Sequence, residues 1–205
     1  MRKNKEDTEI SKLRILLAAE EEFCQRGFIA ANMYTIAKAA GMTKGAIFWH
    51  YESKAGLFKA VIHRATERLK VLFRETFSLP LPIMEKCKQI IIQIKKDRAF
   101  EILLVLSSMD SIGEIPKDLL KECTRELSTI FENFFTHLDD AKAKGEIPVS
   151  IDNRDILVPI TLIISGFAKS RELKNLIPLN GKYIDNELII DTFFNGILSV
   201  QEKVS

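Results

Sequence analysis

The segment NMYTIAKAAGMTKGAIFWHYESK (Asn32–Lys54) reads as two short helices joined by a glycine turn, followed by the cap of a third. Met33, Ile36, Ala37 and Ala40 recur at the i, i+3, i+4, i+7 spacing of one buried helix face. Asn32 is a good N-cap ahead of them, and Gly41 can take the left-handed geometry that ends a helix. Thr43 then caps a second helix from Lys44 to about His50, where apolar Ala46, Ile47 and Phe48 sit beside Lys44, Trp49 and His50. A short helix, a tight turn with Gly and a second helix with a polar outer face make a helix-turn-helix.

Such a unit suits DNA for simple geometric reasons. A helix of about seven residues is roughly 10 Å long, short enough to enter a major groove. Gly45 and Ala46 carry almost no side chain, so the backbone can come close to base edges. Thr43 and Lys44 reach a phosphate or a guanine edge, and a helix N-terminus favours an anion. The competing reading is that Gly45 and Ala46 only let two helices pack, with Lys44 and His50 solvated. Spacing alone does not separate the two.

Two longer segments, ILLAAEEEFCQRGF (Ile15–Phe28) and IAKAAGMTKGAIFWHYESKAGLF (Ile36–Phe58), resemble the N-terminal DNA-binding domain of TetR-family transcriptional regulators. Within that family they are most similar to the multidrug-efflux (AcrR-like) branch. The resemblance covers about the first third of the chain, and its run AAG-x-T-K-G-A-I-x-W-H-x-x-x-K is long and specific. It implies that Ile36–Gly41 lies in a positioning helix and Lys44–His50 in a recognition helix. Thr43, Lys44, Gly45 and Ala46 match base-proximal positions, and Phe48, Trp49, His50 and Lys54 match positions that meet the DNA backbone. There are two departures. Phe48 stands where the family usually has Tyr, which loses a phenol–phosphate hydrogen bond, and Ala31 and Asn32 stand where Thr and Ser are common.

The rest of the chain reads as helical too. It has 205 residues, enough to bury a proper core. Only 6 Pro and 9 Gly punctuate it, and alternating β-branched runs are nearly absent. The net charge of +2 is uneven: residues 1–74 hold 14 Lys+Arg against 8 Asp+Glu, and the remainder 16 against 20. A basic head on a mildly acidic body is the charge footprint of a nucleic-acid binder. Cys24, Cys87 and Cys123 lack metal or redox spacing and read as buried free thiols in a reducing compartment. The charged N-terminus has no signal-peptide pattern, and the longest uncharged apolar run, Ile156–Ala168, is too short to span a bilayer. A cytoplasmic location is expected.

Residues 1–8 read as a frayed terminus, with a basic arm for the minor groove as the alternative. A first helix is expected over Glu9–Arg26, its register set by Leu13, Leu16, Leu17, Glu20 and Phe23 and its end by Gly27. Ser53 caps a long helix to Phe77, with Leu57, Phe58, Val61, Ile62, Ala65, Leu69 and Leu72 inward. That helix is a candidate lever between head and body. Pro80 and Pro82 mark the boundary: a DNA-binding head over 9–69, with the helix-turn-helix at 32–51, and a body over 78–205. The body reads as five helices, Ile83–Lys96, Arg98–Ser108, Lys117–Lys144, Asn153–Leu176 and Asp185–Glu202, about nine helices in all. The charge runs Glu20–Glu22 and Asp139–Asp140 read as solvated faces.

The last two helices are apolar around most of their circumference and must be buried on more than one side. One side suits the chain's own core and the other a second copy, with Gly166 and Gly196 allowing close approach. Ile160, Ile164, Phe167, Ile190, Phe193, Phe194 and Ile197 are the candidate interface residues. The resemblance agrees, since TetR-type proteins pair their last two long helices in a four-helix dimer interface. It also implies an effector cavity among the middle body helices. Phe100, Met109, Phe131, Asn133, Phe134, His137, Thr161 and Ser165 are candidates for its lining, although each Phe taken singly reads as core. An apolar lining points to a hydrophobic or amphipathic effector. No catalytic set, metal site or cofactor fingerprint stands in the sequence. The expectation is an all-α homodimeric repressor on a palindromic operator, released by a small molecule. The rival is a protein of the same fold whose body binds a protein partner.

Overall fold

The computed structural model describes residues 2–94, 97–103, 116–173 and 186–202, and every regular element among them is an α-helix. In chain order these are α1 (Arg2–Ala30), α2 (Met33–Ala40), α3 (Lys44–Tyr51), α4 (Lys54–Phe77), α5 (Ile83–Ile94), α6 (99–103), α7 (Lys117–Ala143), α8 (Asn153–Leu173) and α9 (Asn186–Glu202). The all-helical expectation holds. The chain groups into two compact units, Met1–Leu69 with Arg98–Ser128, and Lys70–Asp97 with Thr129–Ser205. The first break falls after Leu69. The segment Arg98–Ser128, assigned to the body from sequence, groups with the head instead.

In the first unit, α1 is kinked at Gly27, whose φ of 72° and ψ of 177° leave helical space, so the helix proper stops where a glycine stop was expected. Its start differs from expectation, because helix runs from Arg2. The opening residues are mostly Lys, Glu and Arg, which favour helix, and a Lys12–Glu9 pair at 3.0 Å adds i,i+3 support. Its register also differs. Leu13 and Leu17 are half exposed, while Ile15, Ala19 and Phe23 face inward at i, i+4, i+8. Apolar residues lie on two adjacent stripes of α1, and packing chose the one containing small Ala19. Phe23, Phe28 and Phe58 form a ring cluster, with centroids 4.9 Å apart for Phe23–Phe58 and 5.1 Å for Phe28–Phe58. Ile36, Ile47, Leu57, Val61 and Ile62 complete the core.

The acidic run of α1 is not a solvated face. Glu20 and Glu22 are both 5 % exposed. The Glu20 carboxylate accepts from Arg64 Nη1 at 2.6 Å and from Arg68 Nη2 at 2.6 Å, which ties α1 to α4. Glu22 accepts from the Asn32 backbone N–H at 3.0 Å, and Glu21 pairs with Arg98. A buried carboxylate is tolerable only when paired and hydrogen-bonded, and the two arginines of α4 provide that. Further pairs hold the 98–128 segment to α4: Lys59–Glu122 at 2.5 Å, His63–Glu126 at 3.2 Å and the Thr66 hydroxyl to Glu126 at 2.9 Å.

In the second unit, α5 turns Ile83, Met84, Cys87, Ile90, Ile91 and Ile94 inward and meets α8, whose Ile156, Ile160 and Ile164 recur every four residues. The Glu146 carboxylate accepts from the Ile83 N–H at 2.7 Å, capping α5 from a distance. Lys88 binds Asp191 at 2.9 Å and so joins α5 to α9, where Ile190 and Phe194 are buried.

Candidate nucleic-acid interface

The helix-turn-helix is built by caps. The Asn32 side chain accepts from the Tyr34 N–H at 2.8 Å to start α2, and Gly41, at φ 68°, closes it with its N–H on the Lys38 carbonyl. Thr43 opens α3, its hydroxyl accepting from the Ala46 N–H at 3.2 Å. Of the residues of α3, only Ile47 is buried. Ile47 therefore anchors the helix in the core, Ala46, His50 and Tyr51 are half-buried beside it, and Lys44, Gly45, Phe48 and Trp49 face solvent.

The residues expected to touch DNA lie on that surface or at its ends. Thr43, Lys44 and Gly45 are exposed, Ala46 and His50 are half-buried, and Trp49 is 77 % exposed. Phe48 is also exposed, unlike a core residue, and the Lys44 ammonium lies 5.6 Å above its ring. A Cβ at Gly45 would meet only the Thr43 hydroxyl, at 3.9 Å. Helix packing inside the chain therefore does not require glycine there, which removes the competing reading for this residue. Lys54 is placed differently from the rest. Its ammonium donates to the Ile29 carbonyl at 2.7 Å and sits 5.1 Å from the Phe28 ring, and burial lowers its pKa.

The α3–α4 corner is rigid. The Ser53 N–H reaches the Tyr51 carbonyl at 2.6 Å across Glu52, which is held at φ 60° and ψ −40°. A Cβ at Gly56 would come within 2.3 Å of the same carbonyl oxygen, so only glycine lets α4 start this close to the end of α3. The Tyr51 hydroxyl donates to the Lys12 carbonyl at 3.4 Å. The recognition surface is thereby fixed to both α1 and α4. Tyr34, 67 % exposed on the first turn of α2, is a neighbouring aromatic that sequence reading did not single out. Its position beside the Asn32 cap was the available signal.

Comparison with known proteins agrees with this geometry. Residues 15–61 match the family model of bacterial regulatory proteins, tetR family. Those residues form a TetR-type DNA-binding domain. It is 29 % identical over 176 residues to the HTH-type transcriptional repressor BepR of Brucella suis, covering 82 % of this chain and 83 % of that one. It is 25 % identical over 182 residues to the HTH-type transcriptional regulator TtgR of Pseudomonas putida, covering 82 % and 83 %. Among solved structures, Salmonella enterica GusR superposes with a TM-score of 0.68 at 24 % identity, covering 92 % of this chain and 95 % of that one. The fatty acid degradation regulator FadR of Bacillus halodurans gives 0.71 at 17 %, covering 92 % and 94 %. At those identities the structural likeness shows the fold alone. The relatives are named as HTH-type transcriptional regulators, and they share with this chain the fold that carries the residue 15–61 domain.

The described body residues singled out from sequence are distributed over both units. Asn133 and His137 line a cleft of about 490 Å³ in the second unit. Phe134 is buried beneath Phe73 and Phe77, with both centroid distances 6.0 Å, while Phe131 is 36 % exposed. Thr161 and Ser165 donate to the carbonyls of Leu157 and Thr161 along α8. Phe100 is half-buried within the first unit, and Met109 lies outside the described residues. The expected dimer residues Ile160, Ile164, Ile190 and Phe194 are all buried in the chain's own core and Phe193 is half-buried. The side chains of Phe167 and Ile197 lie outside the described residues. Among the described residues, the large apolar side chains that α8 and α9 turn outward are Val158, Leu162, Leu188 and Ile189.

The cysteines are chemically quiet. Burial pushes the Cys24 and Cys87 thiols up to about 12 and Cys123 up to about 11, so all three stay protonated near neutrality. Cys24 is half-buried rather than buried.

His137 stacks on Phe77 at 4.0 Å with the rings 14° apart. Burial lowers its pKa, opposed by Asp140 and assisted by Lys86 and Lys144. The unfolded chain therefore takes up a proton near pH 6.5 that the folded chain resists. The stabilising contribution is present above that value and is lost as pH falls below it. Urea midpoints measured from pH 7.5 to 5.5 should fall more for the wild type than for His137→Phe. Parallel curves would refute the stacked neutral imidazole.

Proposed function

We propose that the protein is a homodimeric transcriptional repressor that occupies a palindromic operator and is released by a hydrophobic or amphipathic small molecule. The observation that carries the DNA reading is α3, held by one buried residue and presenting a glycine that no internal contact requires. Thr43, Lys44, Gly45 and Ala46 are assigned to the base edges, and Phe48, Trp49 and His50 to the flanking backbone. Lys54 already uses one of its three donors on Ile29, so it steadies the head and offers its other two to a phosphate. A cytoplasmic location follows from this role, and no described helix is long and apolar enough to cross a membrane.

Dimerisation is assigned to the outward face of α8 and α9. Val158 is 53 % exposed, Leu162 65 %, Leu188 63 % and Ile189 41 %, and a Cβ at Gly166 or Gly196 would meet nothing within 4 Å among the described residues. Apolar side chains beside open glycines fit close helix approach by a second copy, whose two-fold symmetry presents two recognition helices to one site. Leu162→Arg should raise the dimer dissociation constant by roughly 30-fold or more, the size of an interface hot spot, with helicity retained. Ile160→Ala should instead lower folding stability by about 2–4 kcal/mol and leave the association constant of the folded protein unchanged. Sedimentation equilibrium with parallel urea melts reads both, and the reverse pattern would return the interface to the inward face.

The DNA reading is tested by fluorescence anisotropy on the duplex upstream of the protein's own gene, against a scrambled duplex, at low and near-physiological salt. Binding to the first duplex that survives the higher salt, with two subunits per site, supports the operator assignment. Equal binding that vanishes with salt opposes it. Lys44→Ala should alter sequence preference, and unchanged preference would misplace the recognition helix.

A further inference from the structure

The cleft in the second unit has a chemistry of its own. It lies between the last turns of α4 and the second half of α7, and its lining includes Lys70, Arg74, His137, Asn133, Phe73 and Phe77. No acidic side chain lines it among the described residues. The aromatic floor is continuous: Phe73 and Phe77 lie 5.8 Å apart, and His137 extends the surface by stacking on Phe77. Lys86 donates to the Phe77 carbonyl at 3.1 Å, which fixes the end of α4 under that floor. One side of the cleft is thus aromatic, with the Phe73 ring tilted 58° from Phe77 and His137 parallel to it within 14°, and its rim carries a lysine and an arginine.

We propose that this cleft takes an amphipathic organic anion, an aryl or acyl carboxylate, with its apolar part on the Phe73–Phe77–His137 surface and its carboxylate on Arg74 and Lys70. The proposal rests on the small-molecule reading above and narrows it from hydrophobic ligands in general to anionic ones. A guanidinium pairs with a carboxylate in a bidentate fork. A lysine beside it adds a point charge, and the Asn133 amide offers a neutral donor for a second oxygen. A cationic drug would place its charge against Lys70 and Arg74 with no carboxylate in the lining to receive it, so this cleft discriminates against cations. The volume, about 490 Å³, lies within the range of small-molecule sites.

The test uses the full-length protein and three probes of matched shape, titrated calorimetrically: 2-naphthoate, neutral 2-naphthalenemethanol and cationic 2-naphthylmethylamine. Naphthoate should bind roughly tenfold more tightly than the alcohol, as expected for one charge-assisted pair, with the amine weakest. Arg74→Gln, an exposed position, should erase the preference for naphthoate over the alcohol while leaving the alcohol unchanged. Phe77→Leu should weaken naphthoate and the alcohol alike. Equal affinity for acid and alcohol, an unchanged preference in Arg74→Gln, or no heat from naphthoate at millimolar concentration would each overturn the assignment. Operator release is measured separately by anisotropy. Naphthoate that binds with this pattern yet leaves the DNA complex intact would refute the effector role and leave the cleft assignment standing.

Discussion

Glu20→Ala is expected to lower the stability of the first unit by roughly 3 kcal/mol, the scale for removing one partner of a buried ion pair. The carboxylate is 5 % exposed and receives Arg64 and Arg68 from α4 at 2.6 Å each. Deleting it removes the acceptor that two guanidinium groups share, both only about a quarter exposed. The arginines can partly turn to solvent, which keeps the figure at the lower end of the buried-pair range. Glu20→Gln, which keeps the volume and one acceptor, should recover part of the loss. Glu21→Ala, at a half-exposed position, should cost less than about 1 kcal/mol. Urea denaturation followed by far-ultraviolet circular dichroism measures all three. A Glu20→Ala loss no larger than that of Glu21→Ala would mean that the triad does not hold α1 to α4. Operator affinity should fall alongside, because α1 and α4 together position the helix-turn-helix.

Gly45→Ala should move stability and DNA affinity in opposite directions. Alanine is a better helix former than glycine by about 1 kcal/mol in a helix interior and less near an end. The added Cβ would meet nothing in the chain closer than 3.9 Å, so the head should melt at the same or a higher temperature. On the operator, the same methyl enters the space that the backbone needs to approach base edges. An overpacked contact costs about 1–3 kcal/mol, or roughly 5- to 150-fold in affinity per subunit, and a two-fold dimer would meet that cost at both half-sites. Binding to a scrambled duplex, which rests on phosphate contacts, should change little. Specific affinity equal to wild type would show that Gly45 does not lie against the bases. A stability loss would show that the glycine serves the fold after all.

These two residues mark the difference between what could and could not be read in the chain. Gly45 stands inside a dense local pattern of N-cap, four-spaced apolar face, glycine stop and second N-cap, each operating within a few residues. That pattern gives the same helices in the structure, with Asn32, Gly41 and Thr43 in the capping roles assigned to them. Glu20 stands in a run of three glutamates that looks solvated. Its partners are 44 and 48 residues away, and no local rule reports a contact at that separation.

The candidate dimer residues of α8 and α9 show the same limit from the other side. In helices apolar all round, no polar face fixes the register, so periodicity names both stripes and prefers neither. Ile160, Ile164, Ile190 and Phe194 were chosen as interface and are core, while Val158, Leu162, Leu188 and Ile189 are exposed. The cleft of the second unit is a third case. Lys70, Phe73, Arg74 and Phe77 come from α4, and Asn133 and His137 from α7. Sequence reading names the α7 pair among its lining candidates and assigns the α4 residues to no site.

The sequence by itself determined the all-helical class, the helix-turn-helix with its caps and the TetR-type DNA-binding domain, because caps, glycine stops and i, i+3, i+4 spacing act within one or two turns of the chain. Only the tertiary structure decided which stripe of each apolar helix faces inward and which carboxylate is buried on arginine. It also decided which side chains of α4 and α7 close around one cleft. Those outcomes depend on what the rest of the chain brings opposite each residue, and that is settled by packing between elements remote in sequence.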